Sequence, residues 1–214
     1  MASRPVFIPD LHGDRLVEER VFEFKWASGF AEVQKKKNIK SLHAKAFDSG
    51  LQNILEISTK SDEKVGQRLS AFSLKYQLGD KLYPLESIYQ GSKAFEFGGP
   101  FPEVFLMSPR DAKKFIRNKD CGRLKYFELD GKKFPLSPKN AFYDWLYIRC
   151  LKDHVDWISD NVSYAAFTDI EFNPSKQVNC QARAFAELLS LVKKNKFEKA
   201  SCDFGYFSSM LSPI

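Results

Sequence analysis

Leu85-Glu86-Ser87-Ile88-Tyr89-Gln90-Gly91-Ser92-Lys93 is the stretch whose reading decides this chain. Taken as a helix turning about 100° per residue, it brings Glu86, Gln90 and Lys93 into one narrow arc. A carboxylate, an amide and an amine then point together into whatever that face covers. The flanking Ile88, Tyr89, Gly91, Ala94 and Phe95 are apolar or small, so the arc need not face open water. By itself, a Glu and a Lys at this spacing describe a solvated helix face. What points elsewhere is the company the segment keeps.

Working outward, the pattern predicts a helix over 86–97, stopped by Gly98-Gly99-Pro100. Before it, residues 69–76 read as a strand, with Leu69, Ala71, Phe72 and Leu74 available to a core. After it, Ser108-Pro109-Arg110-Asp111 is a helix start, with Ser108 as N-cap, running to about Arg117. Residues 123–136 form a hairpin candidate turning at Asp130-Gly131. Residues 139–151 give an aromatic helix, 155–161 a short one, and 164–172 an extended segment. The helix over 178–194 has its apolar stripe at Ala182, Phe185, Ala186, Leu189 and Val192. Toward the N-terminus come strands over 21–26 and 53–58, with a helix over 31–47 between them. Strands and helices mix without regular βαβ alternation. The expectation is an α+β fold in one compact domain over 1–214, substantially helical, with a small mixed or antiparallel sheet.

Composition narrows the function classes. Hydrophobic content of 43% with 28% charged residues is that of a globular protein with a sizeable core. A net charge of +6 leans toward polyanionic partners. Cys121, Cys150, Cys180 and Cys202 form no C-x-x-C pair and read as reduced thiols. His12, His43 and His154 have no metal-site spacing, so no metal or cofactor is expected. The N-terminus lacks an apolar leader and no stretch is apolar enough to span a membrane, so a cytoplasmic location is expected.

Several isolated features carry weak chemistry. The Lys35-Lys36-Lys37 run reads first as a solvated helix face, and only second as a phosphate steerer. Ser58-Thr59-Lys60-Ser61 follows a strand and suits a phosphate contact, but lacks the glycines of a P-loop. Trp26 with Phe24 suits stacking on a base, although burial in a core is the plainer reading. Cys150 and Cys180 have no histidine positioned as a base, so inert thiols are the default.

Taken in series, the motifs resemble the NADAR family. Leu69-Ser70-Ala71-Phe72-Ser73-Leu74 is similar to its Phe-Ser-Asn-Phe-Tyr-Pro strand. Glu86, Tyr89-Gln90 and Lys93 resemble its S-E-H-Y-F-Q-A-x-K helix at matching offsets. Residues 108–114 look like the helix that follows, with its alanine-lysine pair at Ala112-Lys113. Phe167-Thr168-Asp169 and Asn179-Cys180-Gln181-Ala182-Arg183 resemble the C-terminal W-G and G-x-N segments. Ala71, Ser87-Ile88 and Phe167 depart from the general pattern. From Arg4-Pro5-Val6-Phe7 onward the chain most resembles the subgroup accompanying DarT-type DNA ADP-ribosyltransferase toxins.

The resemblance implies a YbiA-like fold and removal of ADP-ribose from guanine in nucleic acid, DNA favoured and single-stranded, as the antitoxin to such a toxin. It implies Lys93 and Glu86 as the catalytic pair. A neutral lysine suits attack on an anomeric carbon, and its ordinary pKa of about 10.4 must then be lowered by burial. A neighbouring carboxylate suits proton transfer. Candidate substrate contacts are Ser70, Phe72, Tyr89, Gln90, Asp169 and Asn179, with Trp26 for stacking and Lys60 and Arg183 for the diphosphate. Three rivals stand beside this reading: a non-catalytic ADP-ribose or NAD reader, an antitoxin that acts by binding its toxin, and an N-glycosidase on a small ribosylated metabolite.

Overall fold

The computed structural model of the protein describes residues 1–211. In chain order its strands are β1 (Ala2–Pro9), β2 (Val17–Phe24), β3 (Ile54–Glu56), β4 (Lys75–Leu78) and β5 (Lys81–Pro84). They continue with β6 (Lys93–Phe95), β7 (Leu124–Leu129), β8 (Lys132–Phe134) and β9 (Ala166–Thr168). The helices are α1 (Glu32–Asp48), α2 (Lys64–Arg68), α3 (Leu85–Gly91), α4 (Pro109–Arg117) and α5 (Ala141–Cys150). After these come α6 (Val155–Asn161), α7 (Gln181–Lys193), α8 (Phe197–Cys202) and α9 (Phe204–Ser209). With 42% helix and 20% strand in several small sheets, the architecture is α+β.

The largest sheet among the described residues runs β2-β1-β9-β3. β1 pairs antiparallel with β2 and meets β9 at Phe7↔Phe167, whereas β3 lies parallel to β9. Alternation along β1 buries both faces. Val6 joins Phe24, Ile39 and Leu42 beneath α1, while Phe7 joins Phe167 and Phe185 beneath α7. Helices therefore cover the sheet on both sides. β1 was not legible in the sequence because Pro5 and Pro9 argue against a strand. Pro5 is accommodated because its ladder partner is Val21 of β2 alone.

α5 is the hub. Residues 141–148 of this helix are all buried, as a helix apolar on every side must be. Phe142 stacks on Phe127 at 4.5 Å, Trp145 packs on Phe134 and Phe204, and Tyr147 donates to the Leu69 carbonyl at 2.6 Å.

Two segments differ from the sequence reading. Residues 69–73 are a chain of turns rather than a strand: Leu69 N–H bonds Val65 O, Ser70 N–H bonds Gln67 O and Ser73 N–H bonds Ser70 O. The apolar residues at 69, 71, 72 and 74 do not alternate strictly, and Phe72 is turned outward, 58% exposed. Pairing begins only at Lys75, opposite Pro84. The predicted helix over 86–97 ends at Gly91, and Lys93 to Phe95 form β6 against β7. The reason is packing at Gly91, where a Cβ would stand 2.6 Å from Phe105 and 2.7 Å from the Phe101 carbonyl. The Phe101 N–H takes the Gly91 carbonyl instead, which ends the helical ladder there.

Candidate active site

Glu86 and Gln90 lie on α3, and Lys93 is the first residue of β6. The join between the two elements is tightly held. Ser92 N–H bonds the Ile88 carbonyl, the Ser92 carbonyl accepts from Glu128 N–H at 2.7 Å, and Lys93 sits in register with Phe127. Gly99, at φ 86°, packs against the Lys93 carbonyl, where a side chain would not fit. The Lys93 ammonium donates to Gln90 Oε1 at 2.7 Å and lies 4.9 Å from the Tyr89 ring centroid. The one-face reading thus holds by outcome, but through a helix-to-strand break rather than through continued helical periodicity.

These groups line a cavity of about 260 Å³, together with Ala71, Phe72, Lys113, Tyr143, Asp169 and Asn179. Burial dominates its electrostatics. Burial brings the Lys93 amine down to about 8, against the opposing pull of Glu86, and Lys113 adds like-charge repulsion in the same direction. About a tenth of the amine is then uncharged at pH 7. Burial raises the Glu86 carboxyl above its ordinary range, while Tyr143, Lys113 and Lys93 pull it back. Tyr143 Oη donates to Glu86 Oε1 at 2.8 Å and fixes the carboxylate's orientation. Tyr143 stands edge-on to Tyr89, so the aromatic wall and the acid are braced together.

The opposite wall comes from the 69–73 turns and the segment before α7. Gln181 Oε1 accepts from Ala71 N–H at 2.7 Å and from Ser70 Oγ at 3.3 Å, so Ser70 serves the wall from behind, fully buried. Asn179 lies beside the Tyr89 hydroxyl, whose pKa burial pushes up to about 12. Asp169 is buried at the cavity floor, where desolvation and the nearby Glu56 carboxylate keep it protonated well above the ordinary range. Behind it, Glu56 accepts from Thr168 Oγ1 at 2.6 Å and Ile170 N–H at 2.9 Å, and His43 Nε2 meets Thr168 Oγ1 at 2.8 Å.

The structure therefore brings together Glu86, Lys93, Gln90, Tyr89, Phe72, Asp169 and Asn179 around one cavity, with Ser70 just behind. It places three other candidates outside this lining. Trp26 packs with Phe24 at the edge of the α1 core, under Arg4 at 5.1 Å and Lys35 at 5.8 Å. Lys35 links this edge to the cavity through an ion pair with Glu171, a lining residue. Lys60 follows β3 in a turn where its N–H bonds Ser58 Oγ. Arg183 is buried against Asp144 at 3.3 Å and the Val178 carbonyl at 2.6 Å, with Glu187 at 4.0 Å, so its guanidinium is already occupied.

Lys113, Tyr143 and Gln181 are among the lining residues that received no role from the sequence. Lys113 carried a signal, since it stands one turn into the helix capped by Ser108, whose Oγ accepts from Asp111 N–H. Tyr143 sat inside an aromatic run that reads as core, and only the fold aims its hydroxyl at Glu86. No helix among the described residues is long and apolar enough to cross a membrane.

The sequence matches a family model described as "DarT1-associated NADAR antitoxin" over residues 2–213. No curated protein matches the chain.

Proposed function

The chain belongs to the DarT1-associated NADAR antitoxin family, and from that premise we propose that it cleaves ADP-ribose from guanine bases in nucleic acid. The family description pairs it with a DarT1 toxin; the chemistry is read from the cavity. One observation carries the reading: a buried lysine whose amine is held down to about 8, bonded to Gln90 and sharing a cavity with the braced Glu86 carboxyl.

The uncharged Lys93 amine attacks the anomeric carbon as the bond from that carbon to guanine nitrogen breaks, and the bond's electron pair leaves with the base. Glu86, whose raised pKa keeps a proton within reach, protonates the departing base. The resulting carboxylate takes a proton from the new lysine adduct, and protonation of the ring oxygen opens the ribose to an imine. Water adds to the imine and releases ADP-ribose with the free amine restored. The sum is hydrolysis, one water per bond. Gln90, by accepting from the Lys93 amine at 2.7 Å, aims it. Asn179 and Asp169 suit the ribose hydroxyls, and a protonated Asp169 is able to donate as well as accept. Lys113, at the same cavity, suits the diphosphate better than Arg183, which is engaged elsewhere. A cavity of about 260 Å³ is small beside ligand clefts of ~300–1,000 Å³, so it suits a ribose and its base while the remainder lies outside.

The test is incubation with an oligonucleotide ADP-ribosylated on guanine, followed by chromatography of the products. Release of free ADP-ribose and unmodified oligonucleotide by the wild type, and not by Lys93→Ala, is expected. Binding of ADP-ribose without release would make the protein a reader of the modification. Full protection against the toxin by Lys93→Ala would make it a toxin-binding antitoxin.

A further inference from the structure

The 69–74 turn that walls the candidate site has a second side. Ala71 and Phe72 line the site cavity, whereas Leu69, Ser73 and Leu74 line a neighbouring cleft of about 290 Å³. Phe72, 58% exposed, lines the cavity and is joined in the chain to Ser73 of the cleft. The cleft is basic and aromatic: Arg68, Lys75, Arg149, His154 and Trp157 border it, with Asp153 the single carboxylate in its lining.

Like most surface cations among the described residues, Arg68, Lys75 and Arg149 pair with no carboxylate. Arg68 instead lies 4.1 Å from the Trp157 ring centroid, and Arg149 lies 4.7 Å from that of Trp145 and 5.2 Å from that of Tyr76. An arginine held by its face on a ring keeps its in-plane donors for an oxyanion, which is the preorganisation phosphate recognition needs.

We infer that this cleft seats the single strand flanking the modified guanine, which crosses Phe72 to reach the cavity and lays its phosphates on Arg68, Lys75 and Arg149. The inference rests on the proposed function of the cavity. An exposed aromatic side chain beside unpaired cations suits a strand whose bases are free to stack, and a small cavity requires the target base to leave any duplex. A paired helix offers its phosphates but keeps its bases stacked away from Phe72. The strand's identity is set at the cavity; the cleft supplies reach and affinity without reading sequence.

The experiment compares two substrates, a single ADP-ribosylated guanosine nucleotide and a single-stranded oligonucleotide carrying the same modification. The variant is Arg68→Gln with Lys75→Gln and Arg149→Gln, all at exposed positions and all retaining an apolar stem. For the oligonucleotide, kcat/KM should fall about tenfold or more at moderate salt, and its log–log salt slope should drop by about 2, near 0.7 per lost phosphate contact. Turnover of the single nucleotide should stay within about twofold of wild type. Equal turnover of the oligonucleotide by variant and wild type, or an equal loss on both substrates, would overturn the cleft's role. If the wild type hydrolyses neither substrate, the proposed function fails by itself. The cleft is then tested by fluorescence anisotropy with an unmodified single strand, which should bind wild type in a salt-dependent way and the variant more weakly. Equal binding by both, or a toxin complex lost in the variant while strand binding is kept, would overturn it.

Discussion

Lys93 shows how one residue acquires chemistry from its surroundings. Burial lowers its amine to about 8 and Lys113 pushes in the same direction. Because Lys93 must be uncharged to attack and Glu86 must carry a proton to donate, kcat/KM should rise and then fall with pH in a bell-shaped profile. Removing the like charge with Lys113→Ala should raise the Lys93 pKa and move that rising limb to higher pH. An unmoved limb would show that Lys113 does not act on the nucleophile. Glu86→Gln keeps the hydrogen bond from Tyr143 but removes the exchangeable proton. Its kcat should fall by roughly 10²–10⁴ with ADP-ribose affinity nearly kept. Lost affinity with unchanged kcat would assign Glu86 to binding.

At the scale of elements, the site depends on where α3 stops. If the helix continued past Gly91, Lys93 would leave the β7 pairing that fixes its backbone. Gly91→Ala places a methyl against the Phe101 carbonyl and the Phe105 ring. Overpacking of this kind costs about 1–3 kcal/mol, and each kcal/mol lowers Tm by roughly 2–4 °C for a domain of this size. Calorimetry should show that loss, with kcat reduced because Lys93 shifts relative to Glu86. An unchanged Tm would mean the α3–β6 joint is loose. Such breaks are where sequence reading was weakest. Periodicity saw Glu86, Gln90 and Lys93 as one helical face, yet nothing in Tyr89-Gln90-Gly91 declares that Phe101 and Phe105 will press on that glycine. The 69–73 turns were hidden for the same reason, since their geometry is held by the distant side chain of Gln181 and the hydroxyl of Tyr147. Elements with local signals were legible: Ser108 capping α4, and Asp130-Gly131 turning β7 into β8.

Across the whole molecule, the buried carboxyls set an unusual pH response. Asp169 and Glu56 share one buried region, and desolvation raises both, with repulsion from Glu56 adding to Asp169 and repulsion from Glu171 adding to Glu56. A carboxyl whose folded pKa exceeds its unfolded value binds more protons in the native state, so its contribution to stability falls as pH rises past the unfolded value near ~3.9. Asp169→Asn removes that dependence while keeping an oxygen for the Glu171 N–H, which the Asp169 carboxylate accepts at 3.0 Å. The variant's Tm advantage over wild type should therefore widen as pH rises above the unfolded value, and a constant difference would place the strain elsewhere. The α+β class was legible from the mixture of local patterns. The four-stranded sheet was not, because β1 carries two prolines and meets β9 through long-range pairing alone. Likewise the shared face of Glu86 and Lys93 was visible in the sequence, while Tyr143 and Lys113 joined them only through the packing of α4 and α5 around α3.

The central claim is that Lys93 forms a covalent bond to ribose during removal of ADP-ribose from guanine. It is tested most directly by adding borohydride during turnover of an ADP-ribosylated oligonucleotide and measuring the intact protein mass. Hydride reduces the imine to a stable amine, so the wild type should gain the mass of a reduced ADP-ribosyl group, mapped to Lys93 by peptide analysis and absent from Lys93→Ala. Free ADP-ribose released at the wild-type rate by Lys93→Ala, with no adduct in either protein, would contradict the account.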